Sequence, residues 1–169
     1  SDSLISGAKV YFTSDVWYPA LINFMNKLEN RFNCKIIIAA HPKTKHERYP
    51  SYFGGREVVH QRALELVKNA EFVITRKSTA ISYAVEFKKP CIFIYSDQLL
   101  QDSRYMEDIY GTANALGCVP INIDKDFNDD DIKSLMNVNV SAYTSFKMNY
   151  LTSVGSDIQN YEILLKEVV

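Results

Sequence analysis

Apolar positions recur along this chain with two periods. At 9–12 (KVYF), 35–40 (KIIIAA), 72–75 (FVIT), 91–95 (CIFIY) and 119–123 (VPINI) they run almost unbroken, the pattern of strands buried on both faces of a parallel sheet. Residues 56–59 add a shorter strand. Between the strands the spacing becomes helical. Pro19 opens a stretch that places Ala20, Leu21, Phe24, Met25, Leu28 and Phe32 on one face, and Ala63, Leu64, Leu66, Val67 and Ala70 mark a second helix. Ser78 or Thr79 is expected to cap a helix over 80–87, residues 105–116 form another that Gly117 ends, and terminal helices are expected at 142–151 and 158–169. Strands alternating with helices, joined by right-handed crossovers, predict an α/β fold: a doubly wound, Rossmann-like parallel sheet. No repeat or linker divides residues 1–169, so a single domain is expected.

Composition narrows the classes. With 169 residues, 47% hydrophobic and 23% charged, the chain has the make-up of one globular domain and not of a disordered or fibrous segment. No apolar run reaches the roughly 18–20 residues of a membrane span, and residues 1–7 lack a basic, apolar leader. A cytoplasmic location is expected. Cys34, Cys91 and Cys118 each lie in or beside an apolar run, which suits reduced, buried thiols better than a disulfide frame or a zinc site. A net charge of −1 argues against general nucleic-acid affinity. The charge is uneven, however: 41–77 holds eight Lys or Arg against four Glu, and 97–131 holds nine Asp or Glu against two basic residues. Only the first region suits an anion. The chain begins at Ser1 and reaches its first strand almost at once, as expected of a piece of a longer protein.

Ligands of open α/β sheets bind beyond the carboxyl ends of the strands. That position nominates 14–15, 41–42, 76–79, 96–97 and Asp124. At Thr75-Arg76-Lys77-Ser78-Thr79 two cations and two hydroxyls meet the expected start of a helix, a phosphate cradle in outline; the same hydroxyls also serve as ordinary helix caps. His41 and Pro42 end the second strand, where the imidazole can donate to a phosphate oxygen and Pro42 fixes the loop. Loop 43–55 is polar, aromatic and long. Its end, with Tyr52, Phe53, Gly54, Gly55 and Arg56, can either close as a lid, bringing a ring and a guanidinium over a nucleotide, or simply pack on the domain. Asp97 can hold a ribose hydroxyl or cap a helix, and the run 129–131 reads as a solvated cap. His46 and His60 read as solvated loop or helix residues, and the histidines lack ligand spacing, so no metal site is expected. Neither a dinucleotide-binding glycine fingerprint, nor a P-loop, nor a nucleophile elbow is present.

Taken together, 36–43 (IIIAAHPK), 52–56 (YFGGR), 64–79 (LELVKNAEFVITRKST) and 88–99 (KKPCIFIYSDQL) resemble the carboxyl-terminal half of GT-B glycosyltransferases that build capsular and other bacterial surface polysaccharides. His41–Pro42 and Ser78–Thr79 are similar to the HP and S-S/T motifs of bacterial sialyl- and polysialyltransferases. Arg76–Lys77 stands where that family carries His-Ser or His-Asn, and Gln61–Arg62 where a Gly-Lys-like pair is common. The resemblance implies that His41, Ser78 and Thr79 face donor phosphate, that Pro42 lies near the base, and that Asp97 lies near the ribose or sugar; Lys77, a cation of the cradle, is a further phosphate-binding candidate. It implies a nucleotide-sugar as donor substrate and no tightly bound cofactor. The catalytic base and acceptor site would belong to an amino-terminal half outside this sequence, leaving this half inactive alone, and the whole enzyme could sit at the inner face of the membrane. Two other readings stand beside it: half of a polyol-phosphate transferase, and a non-catalytic Rossmann-like module for a phosphorylated metabolite or a protein partner.

Overall fold

A computed structural model describes residues 13–41 and 50–152. The expected strand at 9–12, Pro42, His46 and the expected helix at 158–169 lie outside the described residues. Helix α1 (Ser14–Phe32) comes first, then strands β1 (Ile38–Ala40) and β2 (Val58–His60), helix α2 (Ala63–Asn69), strand β3 (Val73–Thr75), helix α3 (Ile81–Glu86) and strand β4 (Cys91–Tyr95). Helix α4 (Ser103–Ala115), strand β5 (Ile121–Asn122), helix α5 (Asp129–Leu135) and helix α6 (Val140–Phe146) complete the order, with a π-turn over Lys147–Leu151. The fold is mixed α/β, and the strand pairs among the described residues are parallel.

Among the described residues two sheets are formed, one of β1 and β2 and one of β3, β4 and β5 in that order. Ile38 is in register with Val58, Val73 with Cys91 and Ile94 with Ile121. Because N–H groups alternate sides along a strand, the bonds from Ile38 N–H to the Glu57 carbonyl and from Val73 N–H to the Pro90 carbonyl turn Ala39 and Ile74 toward the opposite edges. Those two edges border one cavity of about 840 Å³.

The core gathers around β4, whose Cys91, Ile92, Phe93 and Ile94 are all buried. Helix α1 brings Leu21, Phe24, Met25 and Leu28 to it and α4 brings Met106, Ile109 and Ala113, each large side chain contributing about 1.5–3 kcal/mol by leaving water.

Several boundaries depart from the sequence expectation. Helix α1 starts at Ser14, so Pro19 stands inside it instead of opening it. The carbonyl deprived of a donor belongs to Asp15, and both residues are exposed, where water satisfies the group. Helix α3 starts at Ile81 with Ala80 as its cap residue. Ser78 Oγ accepts instead from Ala80 N–H at 3.2 Å, a serine turn one step before the helix, so neither hydroxyl caps it. The last strand shrinks to two residues, since Pro120 lacks an N–H to donate and Val119 is exposed. His60 ends β2, half-buried, and is not a loop or helix residue.

Candidate functional site

The cavity lies between the free edges of β1 and β3, with Trp17 and Tyr18 of α1 on its wall. At the carboxyl ends of the strands it is lined by His41 and by the continuous run Thr75-Arg76-Lys77-Ser78-Thr79. Four residues singled out from sequence, His41, Lys77, Ser78 and Thr79, therefore border one opening. The turn after β3 holds itself in shape: Ser78 carbonyl accepts from Ile81 N–H at 3.2 Å, and Thr79 carbonyl accepts from the Ser82 hydroxyl at 2.8 Å. Ser78 and Thr79 remain exposed.

The two cations after β3 diverge. Lys77 Nζ pairs with the Asp108 carboxylate of α4 and stands 5.9 Å from the Tyr105 ring; its hydrogen bond holds the Asp108 carboxyl below the usual carboxylate range. Arg76 goes the other way, its guanidinium 4.5 Å from the centroid of the buried Trp17 ring. Burial pushes the neighbouring Tyr18 hydroxyl up, against the pull of Arg76. Thr75, 8% exposed, has no hydrogen-bond partner for Oγ1 among the described residues.

Residues 50–56 pack on α1. Tyr52 stacks on Tyr18 with centroids 3.9 Å apart and planes at 14°, Phe53 is buried edge-on to Tyr18, and a 3-10 turn over Pro50–Phe53 leads into Gly54 and Gly55. Both glycines have positive φ, and a Cβ on Gly54 would come within 3.2 Å of the Ile22 side chain, so glycine alone fits there without strain. Arg56 bonds Glu29 from Nη2 at 2.6 Å and Nε at 3.2 Å, Asn26 Oδ1 at 2.6 Å and the Phe53 carbonyl at 3.1 Å. In this arrangement its donors serve the packing of the loop and not an opening over a ligand.

Asp97 is in neither group. It follows β4, accepts from Asn122 Nδ2 at 2.6 Å, and its N–H donates to Asp124 Oδ2 at 2.7 Å, closing a polar knot between β4 and β5 away from the cavity lining. Among the described residues no three His, Cys, Asp or Glu side chains converge as metal ligands. All three cysteines are free, Cys91 buried and Cys34 and Cys118 half-buried. No described helix is long and apolar enough to cross a membrane.

Sequence reasoning placed Thr75 and Arg76 in the cradle run but missed the contact of Arg76 with Trp17 and the burial of the Thr75 hydroxyl. No local spacing marks that contact, because Trp17 and Arg76 come from remote segments of the chain. Comparison with protein-family models, with curated proteins and with solved structures finds no match.

Proposed function

We propose that the chain binds a phosphate-bearing nucleotide at the carboxyl ends of β1 and β3, as the donor half of a glycosyltransferase that builds bacterial surface polysaccharide. The observation that carries the reading is that His41, Lys77, Ser78 and Thr79 line one opening, in a region of net positive sequence charge and on the edge where open parallel sheets take ligands. The sequence resemblance supplies the substrate class. In such a site the hydroxyls and cations hold the diphosphate and stabilise charge as it develops on the departing nucleotide, while the partner half supplies the base and acceptor.

The reading includes a doubly wound sheet in which one more parallel strand joins the free edges of β1 and β3. The apolar inner cleft then belongs to the sheet, and the polar mouth belongs to the ligand.

Calorimetric titration with CMP, CDP, UDP, GDP and NAD tests the function. One nucleotide is expected to bind selectively, with the Ser78→Ala/Thr79→Ala variant weaker by about 1–3 kcal/mol. Binding of none of the five to the folded chain overturns the reading, and equal affinity in the variant removes the two hydroxyls from it.

A further inference from the structure

Lys77 belongs to two surroundings at once. It borders the opening in the run that leaves β3, and its Nζ pairs with the carboxylate of Asp108 on α4. Asp108 is not among the residues lining the cavity, so it reaches the site through the lysine. The pair also joins the two charged stretches of the chain: Lys77 closes the basic run 41–77, and Asp108 lies within the acidic run 97–131. Its surroundings bound its strength. The lysine side chain is 56% exposed and the aspartate 45%, and pairs so placed favour the closed form by at most about fivefold. Helix α4 is held to the core by Met106, Ile109 and Ala113, independently of this contact. The Lys77 hydrogen bond, with the nearby charge of Arg104 adding to it, keeps the Asp108 carboxyl below the usual range, so near neutral pH it is ionised and a full competitor for the ammonium. A lysine carries three donors on a flexible stem, and rotation of that stem alone turns it from a carboxylate to a phosphate oxygen.

Resting on the nucleotide reading above, we propose that Asp108 is a competing positioning residue, whose carboxylate holds Lys77 at the mouth of the site, yields it to ligand phosphate and takes it back as the ligand leaves. Binding then exchanges one ion pair for another, and Asp108 lowers the affinity for every ligand that uses the lysine. A neutral sugar has no charge with which to make that exchange.

Inorganic pyrophosphate is titrated calorimetrically into wild type, Asp108→Asn, Lys77→Gln, the double variant and Glu107→Gln, with the five nucleotides in parallel. Asp108→Asn should lower Kd about three- to fivefold. Glu107→Gln removes the same charge from the adjacent, exposed position on α4, without breaking the Lys77 pair, and should change Kd by less than about twofold. Lys77→Gln should raise Kd by a larger factor in the Asp108→Asn chain than in wild type, since only there is the lysine uncommitted before binding; a charge acting merely through space gives the same factor in both backgrounds. Melting temperatures establish that each variant is folded, and Asp108→Ser takes the place of an Asp108→Asn chain that is not. Equal factors in the two backgrounds, a Glu107→Gln gain as large as that of Asp108→Asn, or an Asp108 variant that binds no tighter than wild type overturns this inference and leaves the nucleotide reading standing. If a nucleotide binds and pyrophosphate does not, the same cycle is read on that nucleotide. Failure of wild type to bind pyrophosphate or any of the five nucleotides overturns both.

Discussion

Removing the Arg56 guanidinium strands the carboxylate of Glu29. The Arg56 side chain is 7% exposed and its partner 23%, and Glu29 also accepts from Ile36 N–H at 2.8 Å, so one carboxylate joins α1, the 50–56 turn and the approach to β1. Arg56→Met should cost about 3 kcal/mol in urea unfolding, the usual penalty for leaving one member of a buried pair behind. A cost under about 1 kcal/mol, typical of surface pairs, would mean that the knot is solvated. The same carboxylate gives acid sensitivity. Burial raises the Glu29 pKa, but the bonds from Arg56 and Ile36 outweigh it, and the net value falls below the ordinary 4.5. Its contribution is therefore present above pH 4.5 and is lost as pH falls through the lowered value. Glu29→Gln should flatten the fall of melting temperature in that window, which melts between pH 3 and 6 would register.

At the level of elements, Gly117 shows how a loop residue governs a helix. It ends the α4 segment with φ +69°, and a Cβ there would stand 2.7 Å from Asn139 Nδ2. The Asn139 side chain in turn caps α6, accepting from Ala142 N–H at 3.0 Å. Gly117→Ala should thus cost more than the roughly 1 kcal/mol of backbone strain alone, and pairing it with Asn139→Gly should be less than additive, which a double-mutant cycle measures. The sheet edges make a second test. If one more strand joins β1 to β3, the amides of Ala39 and Ile74 exchange as slowly as those of Val73 and Ile92 in native-state hydrogen exchange; rates typical of loops would leave two separate sheets. Sequence read β4 well because burial on both faces writes an uninterrupted apolar run over Cys91–Tyr95. It misread the start of α1 because Pro19 looks like a first helical residue, and nothing local reveals that solvent can satisfy the Asp15 carbonyl. His41, Lys77, Ser78 and Thr79 were legible as a group because all four follow strand ends, and they border one opening. The Trp17–Arg76 contact was not, since a contact between remote segments leaves no spacing to read.

Across the whole molecule the thiols give a gauge of cooperative opening. Cys91 is 1% exposed and burial pushes its thiol up to about 11, so both access and thiolate fraction oppose its reaction. A thiol reagent near neutral pH should modify Cys34 and Cys118 first and Cys91 only at the rate of global unfolding, followed by mass spectrometry. Modification of Cys91 as fast as Cys34 would reveal local opening of the β4 layer. Helix α1 is the other molecule-wide element: it holds the 50–56 turn through Arg56 at one side, and at the other Lys27 bonds Asp126 at 2.6 Å while Phe24 meets Phe127 at 5.2 Å. That reach has a consequence in time. On the ribosome α1 is made before the residues that cover its far side, which emerge about a hundred positions later, roughly 5–20 s at ordinary elongation rates. For that interval Phe24 and its neighbours have no final partner, and the nascent chain is then a natural client for a holding chaperone.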